Sequence, residues 1–135
     1  MRMIVVVAWL VAAAQVHAAE VVVTVSGAES SGGEIGCALF AGAPGFPFEF
    51  SRARQVWTQV NAPCRFDGVG DGRYAIAVMH DLAGDHKLDT NLFGAPTKPW
   101  GVSNGVRPKT RAPTFEEAAF DVKGSDVAMD VRLGR

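Results

Sequence analysis

Apolar residues recur along the chain in short runs of period two, interrupted by glycine and proline. Val21 to Gly27, VVVTVSG, is a β-branched run closed by glycine. Gly33 to Gly42, GEIGCALFAG, sets Ile35, Cys37 and Leu39 against Glu34, Gly36 and Ala38. Both patterns predict strands, and the turn composition AESSGG between them predicts a hairpin. QVWTQV (Gln55 to Val60) and CRFDGV (Cys64 to Val69) predict two more short strands on either side of NAP. After a GDG turn, RYAIAVMHD sends Tyr74, Ile76, Val78 and His80 to one face and Ala75, Ala77 and Met79 to the other. Small or apolar residues on both faces are the pattern of a central strand. AAFDV and VAMDVRL, separated by KGS, predict a final hairpin.

Two segments break the alternation. APGFPFEFSRAR carries two prolines and three phenylalanines, which suit neither a central strand nor a long helix, so it reads as a loop with aromatic anchors. TFEEA, Thr114 to Ala118, predicts a single helical turn: Thr114 can cap it, and Glu116 and Glu117 suit its positive end. About seven strands and no amphipathic helix of ten residues define an all-β chain. Burying so many half-apolar strands favours an immunoglobulin-like or prealbumin-like β-sandwich over a closed barrel.

The first residues follow a different rule. MRMIVVVAWLVAAAQVHAAE has one early arginine, an unbroken apolar core from Met3 to Ala14 and then small residues, the pattern of a secretory signal peptide. The core is shorter than the ~20 residues that cross a bilayer. Val16 and Ala18 supply the small residues a signal peptidase accepts, which predicts cleavage after Ala18, with Ala19 as the second choice. Residues 1–18 are then the leader and 19–135 a single domain with no transmembrane anchor. Removal takes Arg2 from the 13 basic residues and none of the 14 acidic ones, moving the formal charge from −1 to −2. No basic field attracts nucleic acid or anionic lipid, and RPKTR at Arg107 to Arg111 reads as a solvated loop. Export, to the periplasm before full secretion, exposes Cys37 and Cys64 to oxidation, and an even count predicts a disulfide.

The chemistry concentrates in HDLAGDHKLDTN, His80 to Asn91, where three aspartates and two histidines follow the central strand. The stretch GRYAIAVMHDLAGDHKLDTNLFGAPTKPWGVSN, with PTFEEAAFDV after it, resembles a family of small exported bacterial proteins catalogued as domain of unknown function 2141. The resemblance runs from Gly72 to Val122 and more loosely into the upstream strands. It implies a signal peptide and a β-sandwich but no activity. The family's D-x-N-x-N-G-x-L-D pattern is similar to an EF-hand-type calcium loop, with oxygens at positions 1, 3 and 5, a carbonyl at 7 and a further group at 9. Carried onto this chain, the resemblance assigns position 1 to Asp81, position 5 to Asp85, position 7 to the Lys87 carbonyl and position 9 to Asp89, with Asn91 as a further oxygen or a cap. Ala83 stands where position 3 has asparagine, and His86 where position 6 has glycine. Both departures weaken calcium binding, and Gly84 relieves part of the strain if the turn moves upstream.

His80 and His86 open another reading, since imidazole beside Asp81 and Asp89 suits zinc, copper or nickel better than calcium. The plainer role of His80, at the end of a strand, is a hydrogen bond to neighbouring backbone. Trp57 and Trp100 read first as core or rim anchors, although Trp100, Ser103 and Asn104 gather in a proline- and glycine-rich stretch that would wall a ligand pocket. No nucleophile elbow, zincin motif or phosphate loop is present. The expectation is therefore a non-catalytic exported β-sandwich with an acidic loop that stabilises the domain and takes calcium weakly. The alternatives are a periplasmic transition-metal carrier or sensor, and an adhesion or envelope-assembly module that binds a protein or glycan through its aromatic loops.

Overall fold

Alternation along the chain becomes eight strands in the computed structural model, which describes residues 2–9, 18–92 and 94–135. Much of the expected leader, Leu10 to His17, lies outside the described residues. The strands are β1 (Ala19–Ser26), β2 (Glu34–Phe40), β3 (Arg54–Gln59), β4 (Cys64–Val69), β5 (Gly72–Asp81), β6 (Trp100–Val102), β7 (Phe120–Val122) and β8 (Val127–Arg132). One sheet has the order β4-β1-β8. The other has the order β3-β2-β5-β6, with β7 also paired to β5. The result is an all-β, sandwich-like arrangement, as the alternation predicts.

The predicted hairpins do not form. β1 and β2 lie in different sheets, β7 pairs with β5, and β8 runs parallel to β1 with Val21 opposite Val127. Period-two alternation specifies which side of a strand is buried, and both arrangements bury the same side, so burial alone does not select the partner. β6 was also not expected as a strand. Its three residues pair with Ala77 to Met79 of β5, and Trp100 further exchanges two hydrogen bonds with Gly134, joining the sheets at one corner.

Between the sheets lie Val21 and Val23 of β1, Ile35 and Leu39 of β2, Phe66 of β4, Ile76 and Val78 of β5, Val122 of β7 and Val131 of β8. The opposite face of β2 and β5 is buried too. Ala38, Phe40, Ala75, Ala77 and Met79 form a second apolar layer under Phe46, Phe50 and Phe115. The proline-interrupted loop thus contributes the aromatic anchors expected of it, with Phe46 edge-on to both Phe40 and Phe115. The helical turn α1 (Phe115–Ala118) completes this cover. Thr114 and Glu117 form a reciprocal capping box at its start.

Cys37 of β2 and Cys64 of β4 join the two sheets through the core by a disulfide, with both residues fully buried and their Cα atoms 6.4 Å apart. In the chain-entropy description, closing a loop of about 28 residues is worth roughly 3.5 kcal/mol. Replacing both cysteines with alanine is expected to lower stability by about that amount, read as a fall in the urea midpoint. Alkylation of the non-reduced parent should find no free thiol.

Candidate functional site

β5 delivers two polar side chains to the end of the sandwich, and its pleat sends them to opposite faces. His80 points between the sheets, where it is fully buried. Its Nε2–H donates to the Gly32 carbonyl at 2.8 Å, and its Nδ1 has no partner among the described residues. Asp81, one residue on and also fully buried, faces the loop that follows. His80 therefore does not join Asp81, His86 and Asp89 in a cluster.

The Asp81 carboxylate organises the turn. Oδ1 accepts from the Gly84 amide at 3.1 Å and Oδ2 from the His86 amide at 2.7 Å. Both Gly84 and His86 take positive φ, 69° and 56°, so the glycine upstream shares the reversal without freeing His86 from it. A side chain in the left-handed region is disfavoured. Two contacts of the imidazole offset that cost. It stacks on Trp57 with the rings 3.7 Å apart and nearly parallel, and its Nε2 lies 2.5 Å from Glu34 Oε2. Trp57 can lie there because its β2 partner is Gly36, where a Cβ would come within 2.4 Å of the indole.

The centre of the loop holds a cation from the protein itself. Lys98 Nζ donates to Asp81 Oδ1 at 2.9 Å, to Asp85 Oδ1 at 2.9 Å and to the Lys87 carbonyl. These are the oxygens assigned above to positions 1, 5 and 7 of a calcium loop. The lysine returns to them because residues 89–97 double back: Thr90 bridges Pro96, and the Thr97 amide and hydroxyl both donate to the Asp89 carbonyl. Asp89 thus supports the loop through its main chain, and its carboxylate makes no bond to the ammonium. Asn91 caps the following turn, its Oδ1 accepting from the Ala95 amide.

Burial of Asp81 by itself would raise its carboxyl. The Lys98 and His86 hydrogen bonds and the lysine charge outweigh burial and hold it below the ordinary aspartate range. Asp85 falls to about 2, chiefly through its hydrogen bond from Lys98, with a further one from the Lys87 amide. Burial acts on Lys98 in the opposite direction, but the two carboxylates prevail and its ammonium is held above the usual lysine value. The cluster is therefore two carboxylates and one ammonium, all charged at neutral pH.

The donor set does not fit calcium in the parent chain. Three convergent oxygens are half or fewer of the six to eight that calcium takes, and an ammonium sits among them. Glu34, Asp81 and His86 bring ligand atoms within 4.8 Å of one another, but each already has a hydrogen-bonding partner. Sequence reasoning missed Glu34, Trp57 and Lys98 as parts of the site. The register pairing Glu34 with Asp81 brings the first of these in, and no spacing within the motif signals it.

The residues considered for a pocket wall separate. Ser103 Oγ accepts from the Ile76 amide and donates to the Ala118 carbonyl, spanning the gap on β5 between the segments paired with β6 and β7. Asn104, at φ 64°, donates to the carbonyls of Glu117 and Ala119. Trp100 remains half-exposed and lines a cleft with Phe48 and Arg107.

No curated protein and no solved structure matches the chain. A family model described as "Uncharacterized protein conserved in bacteria (DUF2141)" matches residues 23–130, a span that takes in the second half of β1, all of β2 to β7, the acidic loop and most of β8. With six whole strands, the disulfide and the acidic loop inside that span, the chain belongs to the DUF2141 family.

Proposed function

We propose that this protein is an exported, non-catalytic β-sandwich of the bacterial envelope whose acidic loop is closed by the Lys98 ammonium in the position a metal ion would take. The observation that carries the reading is the convergence of Asp81, Asp85 and the Lys87 carbonyl on Lys98 Nζ. A tethered cation keeps the loop ordered whatever the divalent-ion concentration outside the cytoplasm, and calcium enters only by displacing it.

Export is supported by the buried disulfide, which requires an oxidising compartment. It is also supported by residues 2–9, which have no regular structure and leave Met3, Ile4, Val6 and Trp9 exposed. Among the described residues, no helix is long and apolar enough to cross a membrane. A non-catalytic role is supported by the carboxylates of the loop: held ionised beside an ammonium, they are far from the pKa that a general acid or base needs near neutrality. The aromatic loop offers less to a protein or glycan than its composition suggests, because Phe46 and Phe50 pack inward.

Lys98→Met leaves Asp81 buried and uncompensated, since the Lys98 side chain is only 11% exposed and that of Asp81 not at all. The variant is expected to lose about 3 kcal/mol. Millimolar calcium should restore part of its melting temperature and leave the parent unchanged. An equal calcium response in both proteins would overturn the reading. A zinc or copper site lost in His86→Ala would instead favour a metal carrier built on Glu34, Asp81 and His86.

The pH dependence follows from the same charges. The folded values of Asp81 and Asp85 lie below the unfolded value of about 3.9. Their contribution is therefore complete above about pH 4 and is lost as pH falls through the folded values, about 2 for Asp85. Lys98 is raised, so its contribution holds below its unfolded value of about 10.4 and disappears only as pH rises through the folded one. The stability deficit of Lys98→Met relative to the parent, measured by thermal unfolding across pH, should be largest where Asp81 is ionised in both proteins. It should begin to narrow above about pH 4 as pH falls, because burial without the ammonium raises Asp81 in the variant, which takes up its proton before the parent does.

Cleavage after Ala18 would leave β1 whole, beginning at Ala19, which is buried and paired with Val69. N-terminal sequencing of protein from the periplasm should read Ala19, and an intact Met1 would count against export.

A further inference from the structure

A cleft of about 550 Å³ lies between the Trp100 side of the β6 edge and the loop from Arg107 to Ala112. Its apolar surface comes from Phe48, Pro96, Trp100 and Pro108, and its charged side chains are those of Arg107, Lys109, Arg111 and Arg135, with no aspartate or glutamate in the lining. We propose that this cleft binds a small organic anion, a carboxylate on a flat apolar body, with Arg107 as the group that receives the carboxylate.

The four cations are not equivalent. Arg111 forms a two-pronged pair with Glu117, and Arg135 another with Glu29, so their charges are answered by carboxylates outside the cleft. Arg107 has no such partner. Its guanidinium lies over the Trp100 ring, 4.1 Å from the centroid, and Nη1 donates to the Trp100 carbonyl at 2.8 Å. Gly134 approaches the same group closely: a Cβ there would stand 3.4 Å from Cζ and Nη2 and 3.7 Å from Nε. The guanidinium is thus held in place by the indole, a carbonyl and the Gly134 backbone. Its Nε and Nη2 donors have no partner among the described residues. Those two N–H groups form one edge of the guanidinium fork, the geometry that grips a carboxylate with two parallel hydrogen bonds.

Partial burial pulls Arg107 below the ordinary arginine value, with no nearby acid acting in the other direction. Arg107 is still exposed as a residue, so its free edge is open to an incoming anion, whose charge the guanidinium meets without a competing carboxylate side chain. Lys109 adds a second, exposed charge at the rim. The edge-on contact of Phe48 with Trp100, with ring centroids 5.4 Å apart, gives the floor an aromatic face on which the apolar body of the ligand can lie. The volume falls within the range of small-molecule sites, roughly 300 to 1,000 Å³. A basic cleft of this size on a domain of net negative charge suits a compact anion and not a nucleic-acid backbone.

Benzoate, acetate and benzyl alcohol test the proposal by separating the charge from the apolar body. With the purified protein, benzoate should bind saturably and shift the Trp100 indole N–H resonance. Acetate should bind at least about tenfold more weakly, and benzyl alcohol should not saturate. Arg107→Gln should weaken benzoate at least tenfold. Lys109→Gln, at an exposed position, should weaken it about threefold with the fold intact, which covers the case in which the Arg107 variant does not fold. Tighter binding of phenyl phosphate than benzoate would support the site with a phosphate as its preferred head group. If neither anion saturates at millimolar concentration, or if benzoate affinity is the same in parent, Arg107→Gln and Lys109→Gln, the proposal is overturned.

Discussion

Burial of β5 on both faces is the constraint around which the rest of the domain is arranged. A strand that sends Ile76 and Val78 to one apolar layer and Ala75, Ala77 and Met79 to another cannot lie at the surface of a two-sheet sandwich. Its outer face needs a cover, which the phenylalanine loop and α1 provide. Its amides need partners along the whole strand, which explains why two very short strands and a serine hydroxyl share the work that one long neighbour would otherwise do. The same burial continues through Asp81, where it meets a charge.

A buried carboxylate at the end of a central strand is unfavourable unless it is hydrogen-bonded and paired. Two loop amides and the Lys98 ammonium supply both requirements, and the acidic loop takes its shape from them. In a calcium loop the central charge is a ligand that can leave. Here it is covalently part of the chain and arrives with the hairpin that carries Lys98. The left-handed backbone at His86 belongs to the same arrangement. It is stabilised by Trp57 and Glu34, which sit on the neighbouring strands β3 and β2, so the sheet itself supports the strained turn.

The domain also separates its charges. Carboxylates gather around Lys98 beside the end of β5, while the cleft along Trp100 has four basic side chains and no aspartate or glutamate in its lining. Thr97 connects the two regions, since its amide and hydroxyl bond to Asp89 in the acidic hairpin and its carbonyl accepts from Arg135 of the cleft. A short segment, Thr97 to Trp100, therefore carries the cation that closes one site and the ring that forms the floor of the other.

The sequence by itself determined what depends on local pattern. Alternation marked the inward residues of β5 and its central character, turn composition marked the breaks, two cysteines marked the cross-link, and Thr114 with the acids after it marked the capped turn. The family resemblance singled out Asp81, Asp85 and the Lys87 carbonyl as calcium ligands, and in the fold these three oxygens accept from Lys98. Only the tertiary structure decided which strands pair, because opposite pairings bury the same faces. It also decided what lies at the centre of the loop. Lys98 is 17 residues from Asp81, and Glu34 is 52 from His86. Nothing in local spacing predicts that an ammonium arrives where a metal was expected, because that depends on a hairpin turning back and on the register of β2 against β5.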